Sequence, residues 1–173
     1  MRFVSEKALS LHKDYIETER NKVSFYEKTY PDLAGKRIRE ILRLKCSDKM
    51  TVASTMLNIK CHELYFSSFG GQYQGSECIR AGYGSEASFL YELYKYAMAA
   101  ESKFIFIGSE KGRVGIRSED EWELLNFKNE PLVIDLCEHS YFLDYGFDKG
   151  EYLKRLLPFL NLSKLDKKIC CKD

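Results

Sequence analysis

From Ser5 to about Lys28, charge density and the spacing of apolar positions predict a long helix, with Ser5 as its N-cap and Tyr30-Pro-Asp-Leu-Ala-Gly35 as its stop. Helical spacing resumes over Lys36 to Cys46, where Ile38, Ile41 and Leu42 share one side and the basic residues face away. Asp48 to Phe66 predicts another helix, which carries Ile59, His62 and Phe66 on one face. The Ser67-Ser-Phe-Gly-Gly-Gln-Tyr-Gln-Gly75 stretch breaks the pattern and is the clearest linker in the chain. Beyond it, Ser85 to about Glu101 is helical, and Lys103–Ile107 and Arg113–Arg117 read as strands joined by a hairpin loop, Gly108-Ser-Glu-Lys-Gly112. Leu132 to Leu136 supplies a third strand, and Gly150 to Leu160 with a short C-terminal helix finishes the chain.

Helices first, and then a small sheet among helices, indicate an α+β protein. The expected organisation is an N-terminal helical hairpin over residues 1–70, a linker over 71–84, and a C-terminal subdomain over 85–173 with a three-stranded antiparallel sheet flanked by helices. A length of 173 residues with 45% hydrophobic content suffices for one substantial core. Net charge of +1 gives no general attraction to nucleic acid. No apolar run approaches the roughly 18 residues of a membrane span. Met1-Arg-Phe-Val-Ser5 leads straight into a polar helix, so the default compartment is the cytosol. Six cysteines without a C-x-x-C pair argue against a disulfide framework or a zinc module, and most are expected to be reduced and buried. The vicinal Cys170-Cys171 pair beside Lys167, Lys168 and Lys172 reads as a frayed terminus. Gly82-Tyr-Gly-Ser-Glu-Ala87 has the spacing of a dinucleotide loop, but no strand precedes it and that reading is rejected.

The three histidines are the candidate chemistry. His12, His62 and His139 are the only ones in the chain, and Asp135 lies four residues before His139, a spacing at which a carboxylate and an imidazole converge on one point. A lone histidine on a helix is more often packed or solvated than a ligand, so the set carries the weight. Three imidazoles and one carboxylate suit iron or manganese.

These segments resemble the iron and manganese superoxide dismutases. The family's C-terminal signature D-x-W-E-H-A-Y-Y-x-D-Y is matched by Asp135-Leu-Cys-Glu-His-Ser-Tyr-Phe-Leu-Asp-Tyr145, and its N-H-x-x-Y/F-W/F segment by Cys61-His-Glu-Leu-Tyr-Phe66. Ser5-Glu-Lys-Ala-Leu-Ser-Leu-His12 follows the helix opening that leads to the first ligand, and Gly82 to Phe89 resembles the entry to the next long helix. The resemblance implies one Fe or Mn ion per chain held by His12, His62, Asp135 and His139. It implies superoxide as substrate, dismuted to dioxygen and hydrogen peroxide. It also implies a homodimer in which Glu138 reaches the other subunit's ligand histidine.

Around the ligands the chain departs from the family. Ile16 and Phe142 stand where the family often has a His and Tyr paired across the dimer, and an ungapped alignment puts Arg20 at the gateway Tyr position. Tyr15, one turn beyond His12, is the candidate to point into the site instead. Asn58, four before His62, stands at the iron-type glutamine position, and the manganese-type position falls around Glu121 or Trp122. The family's aromatic pocket shifts to Phe104 and Phe106, and Cys137 replaces the signature Trp. Cys61 and Cys137 are expected as small buried hydrophobes. The first reading is therefore a dismutase with Tyr15, Arg20, Asn58 and Glu138 around its metal. The second is a non-enzymatic relative of the dismutases that keeps the fold as a metal-binding, structural or interaction module.

Overall fold

The computed structural model describes residues 3–70 and 76–169. Helix α1 spans Glu6–Thr29 and starts where expected, because the Ser5 side chain accepts from the Ala8 N–H at 3.1 Å. A cap of this kind is worth about 1 kcal/mol. The buried positions of α1 are Ala8, His12, Ile16 and Glu19, a stripe at helical spacing that turns the first histidine inward. Pro31–Leu33 forms a single 3-10 turn after it.

The helix expected over Lys36 to Cys46 is shorter than its periodicity suggests. Only Ile38–Ile41, α2, is helical. Lys49 Nζ donates to the carbonyls of Leu42 and Leu44 at 3.2 and 2.9 Å, capturing groups that a longer helix would pair internally. The released apolar residues Leu42, Leu44 and Cys46 pack instead on a small core of Leu33, Ile41, Val52 and Ala53.

Helix α3, Lys49–Ser67, packs against α1 on one side and the sheet on the other, so it buries more than one stripe. Val52, Ala53 and Thr55 are buried near its start, and Cys61, His62, Leu64 and Tyr65 near its end. Within the stretch expected as linker, Glu77–Tyr83 is helical (α4). Its N-terminus is capped by Ser76 Oγ and by Asp166, whose carboxylate accepts from the Glu77 and Cys78 N–H groups and from Ser76 Oγ. That carboxylate comes from ninety residues further on, a pairing that local sequence does not announce.

Helix α5, Glu86–Ala99, follows with Ser85 as N-cap. Strands β1, Phe104–Glu110, and β2, Arg113–Glu119, form a longer hairpin than expected. The pairing runs on through Gly108↔Gly115 to Glu110↔Arg113, and the turn is Lys111-Gly112 alone, both at positive φ (50° and 78°). Two-residue turns of that conformation match the twist of the flanking strands. Strand β3, Leu132–Asp135, pairs antiparallel with β1, giving the order β2-β1-β3. Helices α6 (Phe142–Tyr145), α7 (Lys149–Leu156) and α8 (Ser163–Ile169) complete the architecture.

The main core gathers Phe89 and Leu93 of α5, all four residues Phe104–Ile107 of β1, and Leu153 and Leu156 of α7 around Leu64 and Tyr65 of α3. The end of α3 is tied to the rest by backbone: Ser68 Oγ accepts from Val133 N–H at 2.8 Å, and Asn161 N–H donates to Ser68 O at 2.9 Å. This fixes the last turns of α3, and with them His62, against the end of β3. The α+β fold is as expected.

The cysteines differ from expectation. Cys46, Cys61 and Cys137 are free thiols, but only Cys61 is fully buried, and Cys78 is disulfide-bonded. Cys170 and Cys171 lie outside the described residues. No helix among the described residues is long and apolar enough to cross a membrane.

Candidate metal centre

Four elements deliver the candidate ligands to one point. His12 comes from α1, His62 from α3, Asp135 from the last position of β3, and His139 from the 3-10 turn Glu138–Ser140. One ligand atom from each lies within 4.8 Å of every other. His62 Nδ1, His12 Nε2 and His139 Nε2 stand 2.9, 3.2 and 3.5 Å from Asp135 Oδ2. His12 Nε2 and His62 Nδ1 are 3.0 Å apart.

The carboxylate is held from several sides. Oδ1 accepts from the Cys137 N–H at 2.8 Å, and Oδ2 accepts from Ser140 Oγ in a short hydrogen bond. The Asp135 carbonyl accepts from Tyr152 Oη at 2.9 Å. That hydroxyl has one proton, so in the 3.2 Å contact between Tyr65 Oη and Tyr152 Oη it is Tyr65 that donates. A relay of two hydroxyls thus runs from α3 to the backbone of Asp135. Burial disfavours the charge on Asp135, but the imidazoles of His12, His139 and His62 around it outweigh that and hold the carboxyl well below the usual carboxylate range. Burial also dominates at His12, pushing its pKa down in spite of the hydrogen bond it donates to Asp135. A neutral imidazole and an ionised carboxylate are the protonation states in which these groups ligate a metal.

Whether an ion fits is decided by what the protein leaves unpaired. Among the described residues, the buried side-chain nitrogen or oxygen atoms without a hydrogen-bond partner are His62 Nε2 and His139 Nε2; the His139 atom faces Asp135 in this cluster, whereas His62 turns its other nitrogen, Nδ1, to Asp135. Leaving such groups unpaired costs about 1–3 kcal/mol each. Ligand distances of about 2.1 Å place neighbouring donor atoms roughly 3–4 Å apart around one ion, and Asp135 Oδ2 stands 2.9–3.5 Å from the three ring nitrogens. Nitrogen and oxygen donors without thiolate suit iron or manganese. The residues fit the metal.

Aromatic side chains fix the imidazole planes. Phe104 packs edge-on to His62 at 5.3 Å, and Phe66 lies 4.8 Å from His12. Tyr15 stacks on His139 with ring centroids 4.2 Å apart at 23° and meets His62 edge-on at 5.3 Å. Asn58 Nδ2 donates to Tyr15 Oη at 3.1 Å. Tyr15 and Asn58 are therefore brought together beside two candidate ligands. His139 is also the open side of the cluster, its side chain 24% exposed against 3% for His12.

The remaining sequence candidates go elsewhere. Arg20, one position off the buried stripe of α1, is turned outward and pairs with Glu63 at 2.9 Å and Glu17 at 3.4 Å. Glu138 is exposed at the start of the 3-10 turn. Glu121 is buried, but its carboxylate accepts from Ser54 Oγ at 2.5 Å and pairs with Lys103 at 3.1 Å, while Trp122 packs on the smaller core. Phe106 packs against Phe104 and Phe127. Ile16 is buried, whereas Phe142 is 45% exposed. The sequence reading missed Ser140, Tyr65 and Tyr152. Ser140 had a visible signal, since it replaces the signature's Ala next to the last ligand; the two tyrosines had none.

The model of the iron/manganese superoxide dismutase C-terminal domain matches residues 72–168, more than half of the chain. None of the curated proteins compared matches. The matched stretch contains Asp135 and His139, and the fold brings His12 and His62 to them from outside it. The chain belongs to the iron/manganese superoxide dismutase family.

Proposed function

We propose that this protein is a superoxide dismutase whose single iron or manganese ion is held by His12, His62, Asp135 and His139. The observation that carries the reading is the convergence of three imidazoles on one buried carboxylate, with His139 Nε2 left unpaired by protein. A redox-active metal there supplies the one-electron exchange that converts superoxide to dioxygen and hydrogen peroxide. The chain's own residues hold and orient. Ser140, the Cys137 N–H and the Tyr152 hydroxyl fix Asp135, so that its negative charge partly offsets the metal and sets its potential.

On the His139 side, we assign Tyr15 and Asn58 to the substrate face. The Tyr15 hydroxyl accepts from the Asn58 amide, which leaves its own proton free to be donated. Burial raises the Tyr15 pKa, so the phenol keeps that proton at neutral pH. Peroxide release needs two protons, and this hydroxyl is suited to supply one. The exposed Arg20 is paired with Glu17 and Glu63, which reduces its attraction for an anion.

We further propose a homodimer that covers Glu138 and the apolar surface beside it. Phe142, Leu143 and Phe147 are 45%, 42% and 83% exposed, and Phe142 and Phe147 meet edge-on at 5.0 Å. Glu138→Ala should lower the dimer mass seen by light scattering and loosen the metal together. The disulfide at Cys78 speaks against the cytosolic location expected from the sequence.

The alternative reading, a non-enzymatic metal-binding relative, is favoured by Ile16 and Phe142, apolar residues where the resemblance implies a polar pair. Following superoxide decay by stopped flow with metal-loaded protein separates the two. Decay proportional to metallated protein supports the dismutase, and decay at the spontaneous rate supports the alternative.

A further inference from the structure

Helix α1 carries His12, and its first turn is completed by residues from the far end of the chain. In a capping box the N-cap side chain accepts from the N–H at N3, while the N3 side chain reaches back to accept from the N-cap N–H. Ser5 supplies the first half by accepting from the Ala8 N–H at 3.1 Å. Ala8, at N3, has no side-chain acceptor for the second half. Asp144 takes its place: Oδ2 accepts from the Ser5 N–H at 2.6 Å, across 139 positions of sequence. Its negative charge also stands where a helix N-terminus favours one. Beside it, Tyr145 Oη donates to the Phe3 carbonyl in a short hydrogen bond.

Each end of this strap is tied by backbone to a candidate ligand. On one side the Ser5 carbonyl accepts from the Leu9 N–H at 2.9 Å, and α1 continues to His12, about two turns further on. On the other, a ladder leads from the His139 turn to the strap. Ser140 N–H donates to Cys137 O at 2.9 Å, Tyr141 N–H to Glu138 O at 3.1 Å, and the Asp144 and Tyr145 N–H groups to Tyr141 O at 3.1 and 3.0 Å. Tyr145 also packs against Tyr152 with ring centroids 5.9 Å apart, and Tyr152 is the residue that bonds the Asp135 carbonyl.

We propose that Asp144 and Tyr145 are positioning residues for the metal, holding the start of α1 so that His12 meets His139 in register. The proposal rests on these histidines being ligands, and adds the residues that set their approach. Asp144 is exposed, so truncating it removes the bond to Ser5 without opening the core.

The test is competition between the full chain and a chelator for manganese(II) and, separately and without air, for iron(II). Asp144→Ala should weaken the metal by about tenfold, as loss of a residue that orients ligands does. Tyr145→Phe keeps the ring on Tyr152, loses the bond to Phe3, and should weaken the metal in the same direction. Asp144→Asn keeps an oxygen that can accept from the Ser5 N–H, so its affinity should stay within about threefold of the parent. Asp166→Ala removes a carboxylate that caps α4, a helix that carries no ligand, and should lower the urea midpoint without weakening the metal. An equal loss of metal affinity in Asp166→Ala would overturn the proposal, because general stability would then be the cause. So would parent-like affinity in both Asp144→Ala and Tyr145→Phe, or an Asp144→Asn protein as weak as Asp144→Ala. A parent that takes up neither metal would bring down the metal-site reading itself and the proposal with it, a failure distinct from these.

Discussion

The two sides of the metal centre are built to different standards. Around Asp135 the hold comes from the interior: Ser140, Cys137 N–H and Tyr152 bond it, and the aspartate itself is fully buried. Around His139 the wall is a single stacked tyrosine, held by a single amide, with solvent beside it. The difference teaches that holding a metal and processing a substrate place separate demands on one site. The inner side fixes charge and geometry. On the proposed reading the outer side admits an anion and supplies protons, and Tyr15 and Asn58 stand there.

The largest effect should come from breaking the inner side. Asp135→Ala removes the one anionic ligand and leaves the Cys137 N–H and Ser140 hydroxyl without their acceptor, at about 1–3 kcal/mol for each orphaned donor. Metal per chain, read by plasma emission, should fall to about a tenth of the parent or less, and chemical denaturation should show lower stability even without metal. Retention of full metal would mean that the carboxylate is not a ligand.

Ser140→Ala touches the same side more gently. The carboxylate stays but loses its orienting hydroxyl, and loss of such a partner typically costs 10–100-fold in metal affinity. Competition with a chelator measures it. An unchanged affinity would assign the short Ser140–Asp135 contact to folding alone.

Tyr15→Phe probes the outer side and should leave metal content intact. The ring still stacks on His139, but the hydroxyl that accepts from Asn58 is gone. Turnover at saturating superoxide should fall, and fall further as pH rises and solvent protons become scarce; a general acid of this kind contributes roughly 10²–10⁴-fold. A pH profile identical to the parent would remove Tyr15 from proton delivery.

The smallest effect lies away from both sides. Glu121 is opposed by burial but is held below its ordinary pKa by Ser54 and Lys103. With the folded value depressed below the unfolded value of about 4.3, its stabilisation is full above about pH 4.3 and is lost as pH falls through the folded value. Glu121→Gln should therefore lower the urea midpoint at pH 7, and the gap to the parent should narrow as pH falls below about 4.3. A gap that is constant with pH would show that the charge is not what stabilises.

Much of this was legible in the sequence. The helix start at Ser5, the three strands and the convergence of the four candidate ligands are set by local periodicity and by residue types that have few other reasons to fall in this order. What stayed hidden depends on contacts made at long range. The short α2 follows from Lys49 capturing two carbonyls, and the cap of α4 comes from Asp166. The extension of the hairpin to Glu110 hides because Gly108, Ser109 and Gly112 look like loop residues. Arg20 shows the limit of ungapped registration: one position off the buried stripe of α1 puts a side chain in solvent. The Tyr65–Tyr152 relay joins α3 to α7, and no spacing along the chain marks it.

The most direct test of the account is to measure metal and superoxide consumption together on the purified protein and on His62→Ala. The parent should carry about one iron or manganese per chain and consume superoxide in proportion to it, and the variant should lose most of both. A parent that is fully metallated yet leaves superoxide to its spontaneous decay would contradict the assignment as a dismutase, and a His62→Ala protein with full metal would contradict the site itself.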